Sequence, residues 1–212
     1  MKIVSPLLFC FLLITAFSCS ESKTENPTDP VNTKEKPASK VITEIPYNPY
    51  MSVDVSPMDM CYFPVDYPKL KMAKTITGQP LARVIYSRPH LGGRSLFNEV
   101  LKYGEPWRLG ANEATELELF KSVTIADKKI PAGRYVLYCI PQKDKWTIIL
   151  NSNIDSWGLH PDASSDIARF DVPSVTTNNH LEYFTLLFEK NGEKTELLMA
   201  WDNVEARLPF QF

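Results

Sequence analysis

Residues 134–151 read RYVLYCIPQKDKWTIILN, and these two apolar runs decide the fold. In RYVLYCI (134–140) apolar side chains fall on both faces of an extended chain, the pattern of a strand covered on both sides. The polar QKDK (142–145) leads into WTIILN (146–151), so the pair reads as a hairpin within a sheet. Upstream, ARVIYSR (82–88) is rich in strand formers. Residues 115–120 alternate strictly, with Leu117 and Leu119 facing inward and Glu116 and Glu118 outward. Between these runs, ADKK (126–129) turns the chain towards 134–140.

Downstream come IARFDV (167–172), EYFTLLFEK (182–190), KTELLMAW (194–201) and VEARLPF (204–210). Asn191-Gly192 between apolar strands is a strong hairpin signal, because both residues tolerate the positive φ of a tight turn. Helical spacing is sparse: SLFNEVLKYG (95–104) places Leu96, Val100 and Tyr103 on one face with Gly104 to close it, and DASSDIA (162–168) has room for a single turn. The expected architecture is mainly β, a single antiparallel β-sandwich of jelly-roll-like kind with one or two short helices. A terminal Phe212 raises an outer-membrane barrel as an alternative. Outward acids and Pro209 in the last strand argue against a continuous lipid-facing band.

The N-terminal segment sets an expected location. Lys2, the apolar run 3–17 and the small residues before Cys19 read as a lipoprotein signal peptide over residues 1–18. Cys19 would then be the lipidated first residue of the mature chain, held at a membrane of the bacterial cell envelope and facing the periplasm or the exterior. Ala16 stands where a lipobox usually has Leu, and an ordinary signal peptide or an uncleaved anchor are the competing readings. Ser20–Lys40 contains three prolines, no aromatic residue, and only Val31 and Ala38 as apolar side chains. Such a segment cannot offset its ordering entropy by burial, so 19–40 is expected to be a lipidated Cys and a disordered tether, spanning about 25 Å as a coil. The remaining 41–212 is long enough for one domain with a real core.

Charge narrows the partners. The chain carries 23 basic and 25 acidic side chains, a formal charge of −2; loss of Lys2 with the signal makes it −3. This mild acidity, without any run of Lys or Arg, argues against nucleic acid as a partner. Cys10 belongs to the apolar run, which leaves Cys61 and Cys139 either as a disulfide or as small buried hydrophobes.

The chemistry-bearing stretch is PWRLGANEATELEL (106–119). With YSRPHLGGRS (86–95), IPAGRYVLYCIP (130–141) and SWG (156–158), it resembles the DUF2911 proteins, secreted and lipid-anchored bacterial proteins of unknown function. The similarity spans about residues 54–212, and its most specific piece, Trp107–Thr115, looks like the family's W-R-x-G-A-N-E-A-T. The resemblance implies a domain type and no activity. An asparagine-synthetase label carried by some relatives finds no support in the residues: there is neither a nucleophilic N-terminal Cys in a glutaminase context nor a nucleotide loop.

Two readings of the motif compete. In the structural one, Trp107 covers the core edge while Arg108, Asn112 and Glu113 satisfy the loop, with Glu113 as partner to Arg108. In the functional one, Arg88, Arg94, Trp107, Arg108, Asn112, Glu113 and Trp157 form a cradle for an acidic sugar or similar polar ligand. Glu113 is the one candidate acid for catalysis, whereas glycoside hydrolysis normally needs two carboxylates. Glu116 and Glu118 share a strand face and read as solvent-facing. His90, His160 and His180 lack metal-ligand spacing, and the acids of DVSPMDMCYFPVDYP (54–68) match no calcium loop, reading instead as an edge strand; neither a metal nor a cofactor is expected. Three functions follow: a lipid-anchored protein binding a small polar or glycan-like ligand, a scaffold or interaction module of the cell envelope, and a glycan hydrolase using Glu113. Binding or scaffolding is favoured over catalysis.

Overall fold

The computed structural model describes residue 50, residues 54–192 and residues 194–212. The expected signal peptide, Cys19 and tether lie outside the described residues. Within them the chain is mainly β and antiparallel. Nine strands form one continuous hydrogen-bonded order, β1-β2-β3-β6-β7-β8-β9-β4-β5. They are β1 (Met58–Phe63), β2 (Ala82–Ser87), β3 (Thr115–Leu119), β4 (Val123–Ile125), β5 (Lys128–Ile130), β6 (Gly133–Pro141), β7 (Lys145–Asn151), β8 (Asp166–Asn191) and β9 (Lys194–Gln211).

The deciding stretch folds as its pattern dictates. β6 lies between β3 and β7, and Tyr135 through Cys139 are all buried. On β3, Leu117 and Leu119 enter the core, while outward Glu116 and Glu118 are each held by an arginine of a neighbouring strand. Arg134 Nη2 donates to Glu116 at 2.7 Å, and Arg83 Nη2 donates to Glu118. β1 ends the sheet as an edge strand, and Asp59 takes up the backbone N–H of Met60 at 2.7 Å, blunting that edge.

The structure joins segments that the sequence keeps apart. Residues 167–172 and 182–190 belong to one strand, β8, and 194–201 and 204–210 to another, β9. β8 changes partner midway: Asp166–Pro173 pairs with β7, and Ser174–Asn191 with β9. Pro173, which has no N–H to donate, sits at that changeover. Pro209 plays the same part in β9, between the pairing with β8 and the pairing of Phe210 and Gln211 with β4. The order can thus fold over on itself. Phe63 of β1 faces Phe188 of β8 at 6.0 Å, and Phe212 stacks on Phe63 at 4.4 Å. This arrangement is compatible with the expected sandwich. The β8–β9 hairpin turns at the expected place, with Asn191 pairing with Lys194 as the last residue of β8 and Gly192, at φ 64, opening the turn.

Three local expectations need correction. Residues 95–104 form only a π-helical turn, Leu96–Val100, after which Leu101 is extended; Gly104 N–H donates to Pro141 O at 2.9 Å, so the edge of β6 captures this chain. ADKK does not lead directly into β6 but builds the small β4–β5 hairpin. A helical turn the pattern hides, α1 (Tyr67–Met72), follows β1 with a proline in its first turn. The 162–168 segment does hold one 3-10 turn, Ala163–Ser165. Cys61 and Cys139 are both free thiols, Cys139 fully buried in the core.

The segment between β7 and β8 is tied back on itself. Asn151 Nδ2 donates to Asp162 O and Asp166 Oδ1 at 2.8 and 2.9 Å, and Tyr138 Oη donates to both Asp166 oxygens. Burial, aided by the Asp166 carboxylate, pushes the Tyr138 hydroxyl up to about 12; burial likewise lifts Tyr86 and the Cys61 thiol to about 12. The folded protein holds these protons to higher pH than the unfolded chain does. The stability they contribute is therefore full below about pH 9 and is lost as pH rises towards about 12. Thermal unfolding followed by circular dichroism should show a midpoint that is flat near neutrality and falls across this alkaline range, and Tyr138→Phe should shallow the fall.

Candidate functional site

Trp107 anchors the site. Its backbone N–H donates to Cys139 O at 2.7 Å and its carbonyl accepts from Cys139 N–H at 2.8 Å, fixing it to β6. Its ring, 9% exposed, meets Trp146 and Phe184 edge-on and stacks on Trp201 at 5.6 Å. The indole N–H donates to Gly110 O at 3.1 Å. The chain must then reverse before β3 begins at Thr115. Leu109 and Asn112 supply the bend in left-handed conformations, φ 53 and 61, and the Thr115 hydroxyl donates to Leu109 O at 2.6 Å. Gly110 is needed for close approach, since a Cβ there would lie 3.2 Å from Ser87 O and from Thr115 Oγ1.

The 152–165 segment packs on this bend. Ala114 N–H donates to Ser156 O at 3.3 Å, and Gly158, at φ 77, sits where a Cβ would be 2.9 Å from Ala114 Cβ and 3.1 Å from Arg108 Cβ. Trp157-Gly158 and Trp107–Thr115 are therefore one packing unit. Arg108 links the two segments: its Nη1 donates to the carbonyls of Asn112 and Trp157, the latter at 3.0 Å, and its guanidinium lies 5.7 Å from the Trp157 ring centre. Partial desolvation lowers the Arg108 pKa below its ordinary value. Trp157 itself is 58% exposed.

A cleft of about 430 Å³ opens beside this unit. Trp107, Arg108 and Ala111 form one side, and Arg94 reaches it from the Gly92-Gly93 turn. Lys102 and Glu105 come from the stretch after the π-helical turn, with Leu159 and Trp201 also in the wall. Arg94 is braced by its own turn, donating from Nε to Leu91 O at 2.7 Å and from Nη2 to His90 O at 2.9 Å. Lys102 and Glu105 pair at 3.6 Å.

Of the residues singled out in the sequence, Arg94, Trp107 and Arg108 line this cleft. Trp157 lies over the Arg108 guanidinium but is not part of the lining, and Arg88, Asn112 and Glu113 do not line it either. Arg88 is a clamp between layers: Nη1 donates to Asp59 of β1, and Nε and Nη2 donate to Phe184 O and Thr185 Oγ1 of β8, each at 3.2 Å. Asn112 Nδ2 donates to the Asp54 carboxylate. The expected Arg108–Glu113 pair does not form. The bend at Asn112 presents its carbonyl to the guanidinium, while Glu113 is exposed and makes no hydrogen bond or ion pair among the described residues. Lys102, Glu105, Leu159 and Trp201 went unseen in the sequence; Trp201 reads there as plain core, and indeed its exposed surface is only 1%. Among the described residues no group of three or more His, Cys, Asp or Glu is placed to hold a metal ion.

Comparison with protein families gives a match over residues 68–210 to a family described as a protein of unknown function, DUF2911. The chain belongs to the DUF2911 family. No curated protein and no solved structure matches it. The matched region contains all of the cleft except Ser56, and it includes the whole packing unit around Trp107.

That unit predicts a contrast between two glycines of this DUF2911 domain. Gly158→Ala adds a left-handed alanine and a contact under 3 Å, and should cost about 2–4 kcal/mol, lowering the melting midpoint by about 5–15 °C. Gly192→Ala, also at positive φ but facing open space, should cost only about 1–2 kcal/mol. Equal losses in chemical denaturation would remove the packing explanation.

Proposed function

We propose that this DUF2911 protein is a lipid-anchored, extracytoplasmic binding protein whose cleft holds a small polar or glycan-like ligand. The observation that carries the reading is the meeting of Arg94 and Arg108 at one cleft. Both guanidinium groups are braced by backbone carbonyls, and both stand beside an apolar wall that includes Trp107 and Trp201. Bracing settles the side-chain entropy before a ligand arrives, and a cleft of this size falls in the range of small-molecule sites. Binding is favoured over hydrolysis because Glu105 is the one carboxylate among the described lining residues and Lys102 neutralises it. Glycosidases set two carboxylates across the scissile bond.

The scaffold reading keeps one observation of its own: Arg88 and Arg108 both spend donors on holding segments together. The two are separated by a melting experiment on the purified protein with a panel of mono- and oligosaccharides. A ligand at about 100 times its Kd stabilises by about 2.7 kcal/mol, a rise of about 5–10 °C for a domain of this size. No shift across the panel favours the scaffold. The anchor is tested separately: Cys19→Ser should move the protein from the membrane fraction to the soluble fraction, and mass spectrometry of the unaltered mature chain should find lipid on Cys19.

A further inference from the structure

The cleft's unused donors point to the charge of what it takes. Arg108 spends Nη1 on two carbonyls and leaves Nε and Nη2 without a hydrogen-bond partner among the described residues. Arg94 spends Nε and Nη2 and leaves Nη1. Arg94, Lys102 and Arg108 face a single acid, Glu105, so the lining is cationic in a chain whose formal charge is −2. A neutral ligand would leave this field unanswered, whereas an oxyanion matches the planar guanidinium fork with two parallel hydrogen bonds. The cover of Trp157 over Arg108 keeps water from one face of the guanidinium, which strengthens its hydrogen bonds to an anion. Leu159, an exposed apolar side chain in the lining, offers a surface suited to the C–H face of a ring.

We propose that the cleft selects an organic anion of about sugar-ring size, its single carboxylate or phosphate held by the free edge of Arg108 with Arg94 at the same mouth. This rests on the binding reading above and adds to it the ligand's charge and the residues that read it. Arg94 is then a specificity-determining residue, and the Lys102–Glu105 pair lets Lys102 turn to the ligand once the anion is in place.

The test is calorimetric titration of the full-length protein with three probes, D-glucuronate, D-glucose 6-phosphate and D-glucose, at low and at high salt. At least one of the two anions should bind about tenfold or more tightly than glucose, with the difference shrinking as salt is added. The stronger anion tells whether carboxylate or phosphate is the natural group. Arg94→Gln should weaken that anion about tenfold and weaken glucose much less. Because Arg108 also ties two segments, Arg108→Lys replaces a truncation there: it keeps the charge, loses the fork, and should weaken the anion while circular dichroism stays the same. Glucose binding as well as both anions, or anion affinity unmoved in both variants, overturns the anion proposal while the binding reading stands. Failure of all three probes to bind overturns the anion proposal; a melting panel that is silent as well overturns the binding reading with it.

Discussion

Trp107 is held twice, and much of the site depends on it. Its backbone exchanges two hydrogen bonds with Cys139 in the central strand, and its ring is enclosed by Trp146, Phe184 and Trp201. A residue fixed by backbone and side chain together cannot move to relieve strain in its neighbours. The bend that follows must therefore be accommodated by Leu109, Gly110 and Asn112, two in left-handed conformations and one without a side chain. The positions of Arg108 and Ala114 follow, and with them the seat of Gly158. Aromatic burial at one point thus dictates the shape of a cleft built mostly from loop.

Arginine does two kinds of work here. Arg83 and Arg134 pair with Glu118 and Glu116 across the outer face of the sheet, exposed or partly exposed arrangements that set orientation and contribute little energy. Arg94 and Arg108 instead satisfy loop carbonyls, while Arg88 divides its donors among Phe184 O, Thr185 Oγ1 and Asp59. A loop or seam with unpaired carbonyls needs a donor from elsewhere, and a guanidinium can serve several at once. That explains how a group can be structural and still carry unused donors: Arg88 spends all of its directions on the fold, while Arg94 and Arg108 do not.

The sequence carries the strands whose burial repeats regularly. β6 and β7 announce themselves by apolar residues on both faces, β3 by its alternating acids, and the β8–β9 turn by Asn191-Gly192. The continuity of β8 is hidden because its middle, Ser174–Glu182, is polar and largely exposed, so burial gives no period there; interrupted pairing with β9, and pairing of its end with the chain around His90, keep it extended. The helix suggested by Leu96, Val100 and Tyr103 yields to capture of the following chain by β6, a tertiary effect that spacing cannot express. At the site, the bend and its glycine are legible in Trp107–Thr115. The partners of Arg108 are not, because the oxygens it meets belong to the backbone of Asn112 and Trp157, and a carbonyl leaves no trace in residue type. An acid placed five residues on, Glu113, is a natural guess for a cation and the wrong one, since the turn at Asn112 sends it outward.

The β4–β5 hairpin leaves the sheet between two strands that pair with each other, β3 and β6, and is held at its other side by Phe210 and Gln211 of β9. Val123, Ile125 and Ile130 are buried there, but their cover is completed by β9, the last of the nine strands in chain order. Phe212 adds its ring to Phe63 of β1, the first strand. The domain is therefore not built outward from a finished N-terminal half: a nascent chain short of its final strand keeps those apolar side chains uncovered. Such dependence on distant partners slows folding and lengthens the interval in which an unfinished chain can aggregate.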